Sequence, residues 1–272
     1  MKRLSLPLMT AVGLMGMTAL TACGSGSTDS ATSASAAMTP SASSTPSPSS
    51  TLSGTVTVLA AASLTESFTA LEKSFEAANP GVDVTISFGS SATLAQQIAQ
   101  GAPADLYASA GTKALDQLPA EAKAKPTTTL ARNVLEIATP PGNPKKVTGL
   151  ASLADASINV VLCAETVPCG SAADAVLTKA AVTAHVVSRE VDVKATLAKI
   201  TLGEADAAIV YHSDVVAAGS KVEGVEIPAA QNTTLAYPLV RLTDTAATKA
   251  FADLLASAAG LKELEAVGFL AP

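Results

Sequence analysis

Hydrophobic and polar positions between residues 55 and 257 switch repeatedly between two periods. Thr55 to Ala60 (TVTVLA) is a β-branched run and predicts a strand. From Leu64 to Ala77 the apolar positions include Leu64, Phe68, Leu71 and Phe75, and spacings of four, three and four are helical. Asn79-Pro80-Gly81 ends that helix. Val82 to Phe88 alternates as VDVTISF, a second strand. Leu94 to Ala99 starts another helix, which Gly101-Ala102-Pro103 breaks, and Leu106 to Ser109 reads as a short strand. The pattern continues with strands at 134–138 and 158–162, a helix at 171–180, a strand at 185–188, a helix at 194–202 and a strand at 207–211. A strand at 236–241 and a helix at 245–257 close it. This alternation predicts an α/β fold with a parallel or mixed sheet covered on both faces. Ligands in such sheets bind beyond the carboxyl ends of strands, beside helix N-termini.

The first 51 residues do not share this pattern. Met1-Lys2-Arg3 is a short basic start, and Leu4 to Leu20 is uncharged and mostly apolar, which reads as a secretory signal peptide over residues 1–22. Leu20-Thr21-Ala22-Cys23 resembles the lipobox of bacterial lipoproteins, in which the chain is cut before the cysteine and that cysteine is acylated. Cys23 is therefore the expected lipidation site, and residues 23–52 the lipid-anchored tether. Gly24 to Thr51 is almost wholly Ser, Thr, Ala, Gly and Pro, with Asp29 its one charge. Such a segment cannot bury enough apolar surface to offset its ordering entropy; as a flexible coil it spans roughly 30 Å. The expected location is the outer face of the cytoplasmic membrane or the periplasm.

Charge and composition narrow the function. The 272 residues carry 17 Lys plus Arg against 23 Asp plus Glu. Loss of Lys2 and Arg3 with the signal leaves 15 against 23, a net charge of −8. A nucleic-acid binder draws its affinity from basic residues, so that class is excluded as a partner. Trp is absent and aromatics are 3%, which disfavours stacking platforms. Two histidines and three cysteines leave little for a multi-histidine zinc site or an iron–sulfur cluster, and no cofactor is expected.

Four strand-to-helix junctions stand out. Ser63-x-x-Glu66, after Ala60-Ala61-Ala62, reads as a capping box; the free N–H groups of that first turn also make an anion site. Phe88-Gly89-Ser90-Ser91 leads a strand into a helix. Val167-Pro168-Cys169-Gly170-Ser171 follows the strand at 158–162, and Val191-Asp192-Val193-Lys194 opens the helix before Tyr211. Together these small residues and hydroxyls, with no clustered Lys or Arg, point to an oxyanion held by neutral donors.

The same stretches carry a family resemblance. TVTVLAAASLTESF, FGSSATLAQQIAQGAPADLYASA, VPCGSAADAVL and EADAAIVYHSDV, in that order, resemble the molybdate-binding proteins of ABC importers over residues 54–272. The resemblance implies a two-lobed, type II periplasmic-binding-protein fold with a hinge of two crossing strands: lobe 1 from 53–134 and 231–272, lobe 2 from 135–230. It implies that molybdate, and tungstate with it, sits between the lobes on the hydroxyls of Ser63, Ser91 and Tyr211 and the main-chain amides of Cys169 and Val193, with no side chain ligating the metal. Cys169 departs from the alanine usual there, which an amide donor tolerates. The implied partner is a membrane permease, served by a monomer.

Molybdate at neutral pH offers only acceptor oxygens, and hydroxyls and N–H groups can all donate to it. Helix dipoles add compensating partial charge without a Lys or Arg. Sulfate is the leading alternative ligand. A serine hydrolase pairing Ser63 or Ser91 with His185 or His212 is the enzymatic alternative; no G-x-S-x-G elbow supports it, and the chain reads as a non-enzyme. Tyr107, Tyr211 and Tyr237 do not supply adjacent phenolates for ferric iron. Asp105 reads as a turn residue, Glu165, Asp174 and Glu190 as solvated charges, the alanine-rich helix 171–184 as core packing, His185 as a strand residue and His212 as a surface residue. With Cys23 acylated in an exported chain, Cys163 and Cys169 are expected to form a disulfide, closing the loop Ala164 to Pro168.

Overall fold

The computed structural model describes residues 52–272. The expected signal peptide, the Cys23 lipidation site and all of the tether but Leu52 lie outside the described residues.

The chain enters through β1 (Gly54–Ala61), which is buried from Val56 onward except at half-buried Thr57. A 3₁₀ turn, Ala62–Leu64, leads into α1 (Thr65–Ala78). Phe68, Leu71 and Phe75 form the buried stripe that the spacing predicts, and Phe75 packs on Phe251 with ring centroids 5.0 Å apart. Burying each such side chain contributes about 1.5–3 kcal/mol. Next come β2 (Val82–Gly89), α2 (Ser91–Ala99), β3 (Leu106–Ala108) and the short α3 (Ala120–Lys123). β1 is parallel to both β2 and β3.

β4 (Thr127–Thr139) is the long strand of the fold. Its residues 127–134 pair antiparallel with β9 (Thr234–Arg241), and from Leu135 it pairs with β7 (Ala207–Tyr211), then also with β8 (Glu223–Glu226). β4 therefore changes partners between Val134 and Leu135. Asn232 pins that point: its side chain accepts from the Leu135 N–H and donates to the Leu135 carbonyl. Beyond β4 come β5 (Val160–Cys163), α4 (Pro168–Lys179), β6 (Val186–Glu190) and α5 (Val193–Thr201). α6 (His212–Ala218) follows β7 directly, and α7 (Ala246–Ala256) and α8 (Ala258–Ala266) end the chain. The strand order is β2-β1-β3-β9-β4-β7-β5-β6, with β8 on β4. This is a mixed α/β two-domain fold in which two parallel-stranded halves are joined through the antiparallel β4 and β9.

Several sequence expectations need correction. The strand at 134–138 is the second half of a 13-residue strand; its polar first part, TTT, hid the pairing with β9. The helix expected at 171 starts at Pro168, because proline suits a first turn with no N–H to satisfy. It ends at Lys179, and Ala181 takes a left-handed backbone (φ 54°). α6, β8 and α8 were not expected. Ser63-x-x-Glu66 is not a capping box: α1 is capped at Leu64 without a side-chain bond, Ser63 Oγ bonds Tyr237 instead, and Glu66 pairs with Lys194. Asp174 is not a free solvated charge, since Arg189 grips it with two bonds of 3.1 and 2.8 Å. Glu165 (72% exposed) stays in solvent, 3.5 Å from the same guanidinium, and Glu190 accepts from Ser188 Oγ. His185 lies just ahead of β6, not in it, with Nδ1 3.3 Å from the Ile158 carbonyl. His212 opens α6 and pairs with Glu136. Asp105 is structural, its carboxylate accepting from the Thr57 N–H and the Thr243 hydroxyl.

Candidate functional site

The carboxyl ends of β1, β2 and β7 and the segments that follow β3, β5 and β6 meet at one small cavity. Its lining includes Ser63, Ser91, Cys169, Val193 and Tyr211, so all five residues singled out from the sequence come together. Ser90, Ala110, Val167, Pro168 and Asp192 line it too. The space open to the centre of a water-sized sphere is about 20 Å³. As a sphere, that is a void of roughly 3 Å radius once the water radius is added, the size of a single four-oxygen oxyanion.

Helix starts supply its wall. The first N–H groups of a helix have no intrahelical acceptor. In α2 the first helical N–H groups belong to Ser91 and its neighbours, and Ser90 as N-cap makes no side-chain capping bond. In α4 Cys169 is the second residue and in α5 Val193 is the first. The α5 cap, Asp192, turns its carboxylate onto the Ala195 N–H at 2.9 Å, which occupies the one acidic side chain of the lining. No Lys, Arg or His is among the lining residues.

The loop into α4 is held rigidly. Cys163, ending β5, and Cys169 are joined by a disulfide with Cα atoms 5.8 Å apart. Gly170 packs so closely that a Cβ there would lie 1.9 Å from the Ala164 carbonyl oxygen, so only glycine fits.

The hydroxyls differ in what already engages them. Ser91 Oγ accepts from the Ala110 N–H at 2.9 Å, which leaves its own proton free to donate. Ser63 Oγ lies 2.9 Å from Tyr237 Oη. Ser90 Oγ and Tyr211 Oη are buried and have no hydrogen-bond partner in the protein. An unsatisfied buried hydroxyl costs about 1–3 kcal/mol, so two at one cavity mark a place built for something else to bind. Burial pushes the Tyr211 hydroxyl well above its ordinary pKa, helped by Tyr237 and Asp214, so it keeps its proton and is a donor. The Tyr211 and Tyr237 rings do pack together, edge to face at 6.1 Å, a pairing their sequence spacing did not reveal. Burial raises both hydroxyls, and neither supplies the phenolate that ferric iron needs. Tyr107 is spent on the Ser91 carbonyl at 2.8 Å, and burial lifts it to about 12.

Below the cavity, Lys194 links the two halves. Its ammonium is 2.8 Å from Glu66 on α1 and 3.1 Å from Asp214 on α6. Desolvation opposes its charge, but Asp214 and Glu66 outweigh it and its pKa is raised. Asp214 is fully buried, and desolvation lifts its carboxyl to about 6 against the pull of Lys194. Its Oδ1 faces Lys194 without hydrogen-bond alignment, while Oδ2 accepts from the Tyr211 N–H at 3.3 Å.

Residues 56–270 match the bacterial extracellular solute-binding protein family. The chain belongs to that family. Its members are non-catalytic components of transport systems, which removes the hydrolase alternative; neither His185 nor His212 lines the cavity. The molybdate-binding protein ModA of Mycobacterium tuberculosis is 37% identical over 222 residues, covering 80% of this chain and 85% of that one. Among solved structures, the periplasmic molybdate-binding protein of Azotobacter vinelandii superposes with a TM-score of 0.68 at 21% identity, over 80% of this chain and 99% of that one. The sulfate-binding protein SubI of Mycobacterium tuberculosis gives 0.67 at 21% identity, over 79% and 86%. These two structures share the type II fold. The chain is thus an extracytoplasmic solute-binding protein of an ABC transporter, related in sequence to molybdate-binding proteins and sharing its fold with a sulfate-binding one.

Sequence reasoning missed Ser90, Tyr237 and Lys194 as parts of this neighbourhood. Ser90 sits beside a named serine and helix phase alone could not choose between them. Tyr237 reaches Ser63 across 174 residues, and no local signal marks it.

Proposed function

We propose that this protein captures molybdate, with tungstate as a close substitute, between its two lobes and delivers it to a membrane permease. The observation that carries the reading is the pair of buried, unpartnered hydroxyls, Tyr211 Oη and Ser90 Oγ, at a cavity of single-anion size. The ligand set is Ser63, Ser91 and Tyr211 hydroxyls with the Cys169 and Val193 amides, and Ser90 joins it. Every one of these groups can donate, and none of them is charged, so helix dipoles and oriented N–H groups carry the compensation for a dianion. The 37% identity to a protein named for molybdate favours that ion over sulfate. A sulfate ion has the same charge but is smaller and would leave the donors stretched.

We assign residues 53–134 and 231–272 to one lobe and 135–230 to the other, with β4 and β9 as the hinge. Closure about such a hinge presents both lobe surfaces to the permease. We infer a signal peptide at 1–22 and lipid attachment at Cys23, with residues 23–52 as tether and a monomer as the working form. Calorimetric titration with molybdate, tungstate, sulfate and phosphate tests the ligand. Molybdate and tungstate should bind alike and far more tightly than sulfate; equal affinity for sulfate and molybdate would sink the assignment. Cys23→Ser should release a soluble, binding-competent protein, and wild-type protein without lipid mass on its N-terminus would refute the anchor.

A further inference from the structure

Behind Ser63, buried polar groups run from one lobe to the other through both joining strands. Asn133 on β4 has its amide orientation fixed, because Oδ1 accepts from the Val134 N–H at 3.0 Å. Its Nδ2 therefore faces the other way, donating to Ser213 Oγ at 2.8 Å and to Tyr237 Oη at 3.4 Å. Tyr237 on β9 is completely buried and touches Ser63 Oγ at 2.9 Å. A phenol has one proton to give, and an amide nitrogen has no lone pair to take it. Of the two neighbours of the Tyr237 hydroxyl, only Ser63 Oγ can accept. The opposite arrangement, with Ser63 donating to Tyr237, leaves a buried phenolic proton without an acceptor, which a folded interior avoids.

We propose that Asn133 and Tyr237 are positioning residues that set the direction of a hydrogen-bond chain, Asn133 to Tyr237 to Ser63, and so make Ser63 an obligate donor toward the cavity. A serine alone can donate or accept, and a site built of free serines would adapt to a ligand that carries a proton. With one lone pair of Ser63 Oγ taken by the Tyr237 proton, the serine's own proton finds no acceptor in Tyr237 and is left to point at the ligand. The chain thereby removes Ser63 from the cavity hydroxyls that could receive a ligand proton, and so biases the site toward oxyanions that carry none. Hydrogen phosphate has the same charge as molybdate or sulfate at pH 7.5 but carries one proton, and turned toward Ser63 that proton would leave the serine's own proton unpaired. Each donor in the chain also polarises the next, which strengthens the final bond to an anion.

This inference rests on the oxyanion reading of the cavity, and its test separates the two. Wild type, Tyr237→Phe, Asn133→Asp and the double variant are titrated calorimetrically at pH 7.5 with molybdate, sulfate and potassium phosphate, with circular dichroism as the check on folding. Tyr237→Phe keeps the ring that packs edge-to-face on Phe269 at 4.9 Å and removes only the relay hydroxyl. Molybdate affinity should fall roughly tenfold, the scale of one weakened charge-assisted bond. Phosphate affinity should hold or rise, so the molybdate-to-phosphate ratio collapses by tenfold or more. An equal loss for both ligands marks Tyr237 as merely structural and overturns the relay, as does an unchanged ratio. Asn133→Asp replaces the donor with an acceptor and reverses the chain, so molybdate binding should fall further than in Tyr237→Phe. In the double variant, where Tyr237→Phe has already removed the relay hydroxyl, that extra loss should vanish; if it persists, the new charge and not the relay is responsible. Should Tyr237→Phe not fold, Asn133→Asp alone decides, and an unchanged molybdate-to-phosphate ratio there overturns the inference. Failure of the wild type to bind any of the three ions defeats the oxyanion reading itself.

Discussion

Tyr211→Phe should move stability and binding in opposite directions. The Tyr211 side chain is 1% exposed, and its hydroxyl has no partner in the protein. Removing an unsatisfied buried hydroxyl recovers about 1–3 kcal/mol. The lower end applies, because a cavity of about 20 Å³ is large enough to admit a water molecule that partly satisfies it. The ring stays, with its edge contact to Tyr237 at 6.1 Å. The expected gain of about 1 kcal/mol raises the melting temperature of the ligand-free protein by roughly 2–4 °C for a domain of this size. Binding changes the other way. A hydrogen bond from a buried phenol to a dianion is worth about 1.5–3 kcal/mol, or roughly 10- to 100-fold in affinity. Scanning calorimetry with and without molybdate, together with isothermal titration, reads both quantities on one preparation. A variant that melts lower than wild type while binding molybdate equally well would refute the reasoning, since it would mean that the hydroxyl serves the fold and not the ligand.

Three further outcomes are expected. Lys194→Met strips the cation from fully buried Asp214 and should cost about 3–5 kcal/mol of stability, whereas Glu66→Gln, at a carboxylate 42% exposed, should cost at most about 1 kcal/mol; chemical denaturation of both variants checks the ordering, and equal costs would contradict it. The Asp214 carboxyl, lifted by burial to about 6 from 3.8, holds its proton in the folded state where the unfolded chain has lost it, so its contribution to stability falls as pH rises through that window, by about 3 kcal/mol in all; the stability of wild type relative to Asp214→Asn should therefore decline between pH 4 and 7, and a rise would show that Lys194 lowers this carboxyl. Reducing the Cys163–Cys169 bridge frees only a short loop, worth about 2 kcal/mol in the chain-entropy view, yet that loop aims the Cys169 amide, so molybdate affinity should drop by a larger factor than stability does; an unchanged dissociation constant after reduction argues that packing around Gly170 suffices.

Much of the fold was legible because its local signals agree with the tertiary structure. The four–three–four spacing of Leu64, Phe68, Leu71 and Phe75 marks a helix face that is indeed buried. The alternation VDVTISF marks a strand paired along its whole length with β1. The signals failed where no punctuation exists. α6 begins at the residue after β7 ends, with no glycine or proline between them, and α8 is separated from α7 only by Ser257, which caps it. Thr127 to Thr129 carry no hydrophobic pattern, and the strand there exists because β9 offers its backbone a partner.

The sequence by itself determined the alternating α/β class, the four small, hydroxyl-rich junctions and the cysteine spacing. Each is a local property: side-chain period, turn chemistry and chain distance are readable within ten or so residues. Tertiary structure alone decided what those junctions do. The sequence presents Ser63 as the cap of its own helix; the fold gives its hydroxyl to Tyr237, 174 residues away, and leaves Leu64 to begin the helix uncapped. Glu66 was the other half of the same local motif, and it pairs with Lys194, 128 residues away. Serine and glutamate can satisfy themselves locally or at long range at similar cost. The choice between those partners is made when β4 and β9 bring the two halves of the sheet together, and no window of the sequence contains both sides of that choice.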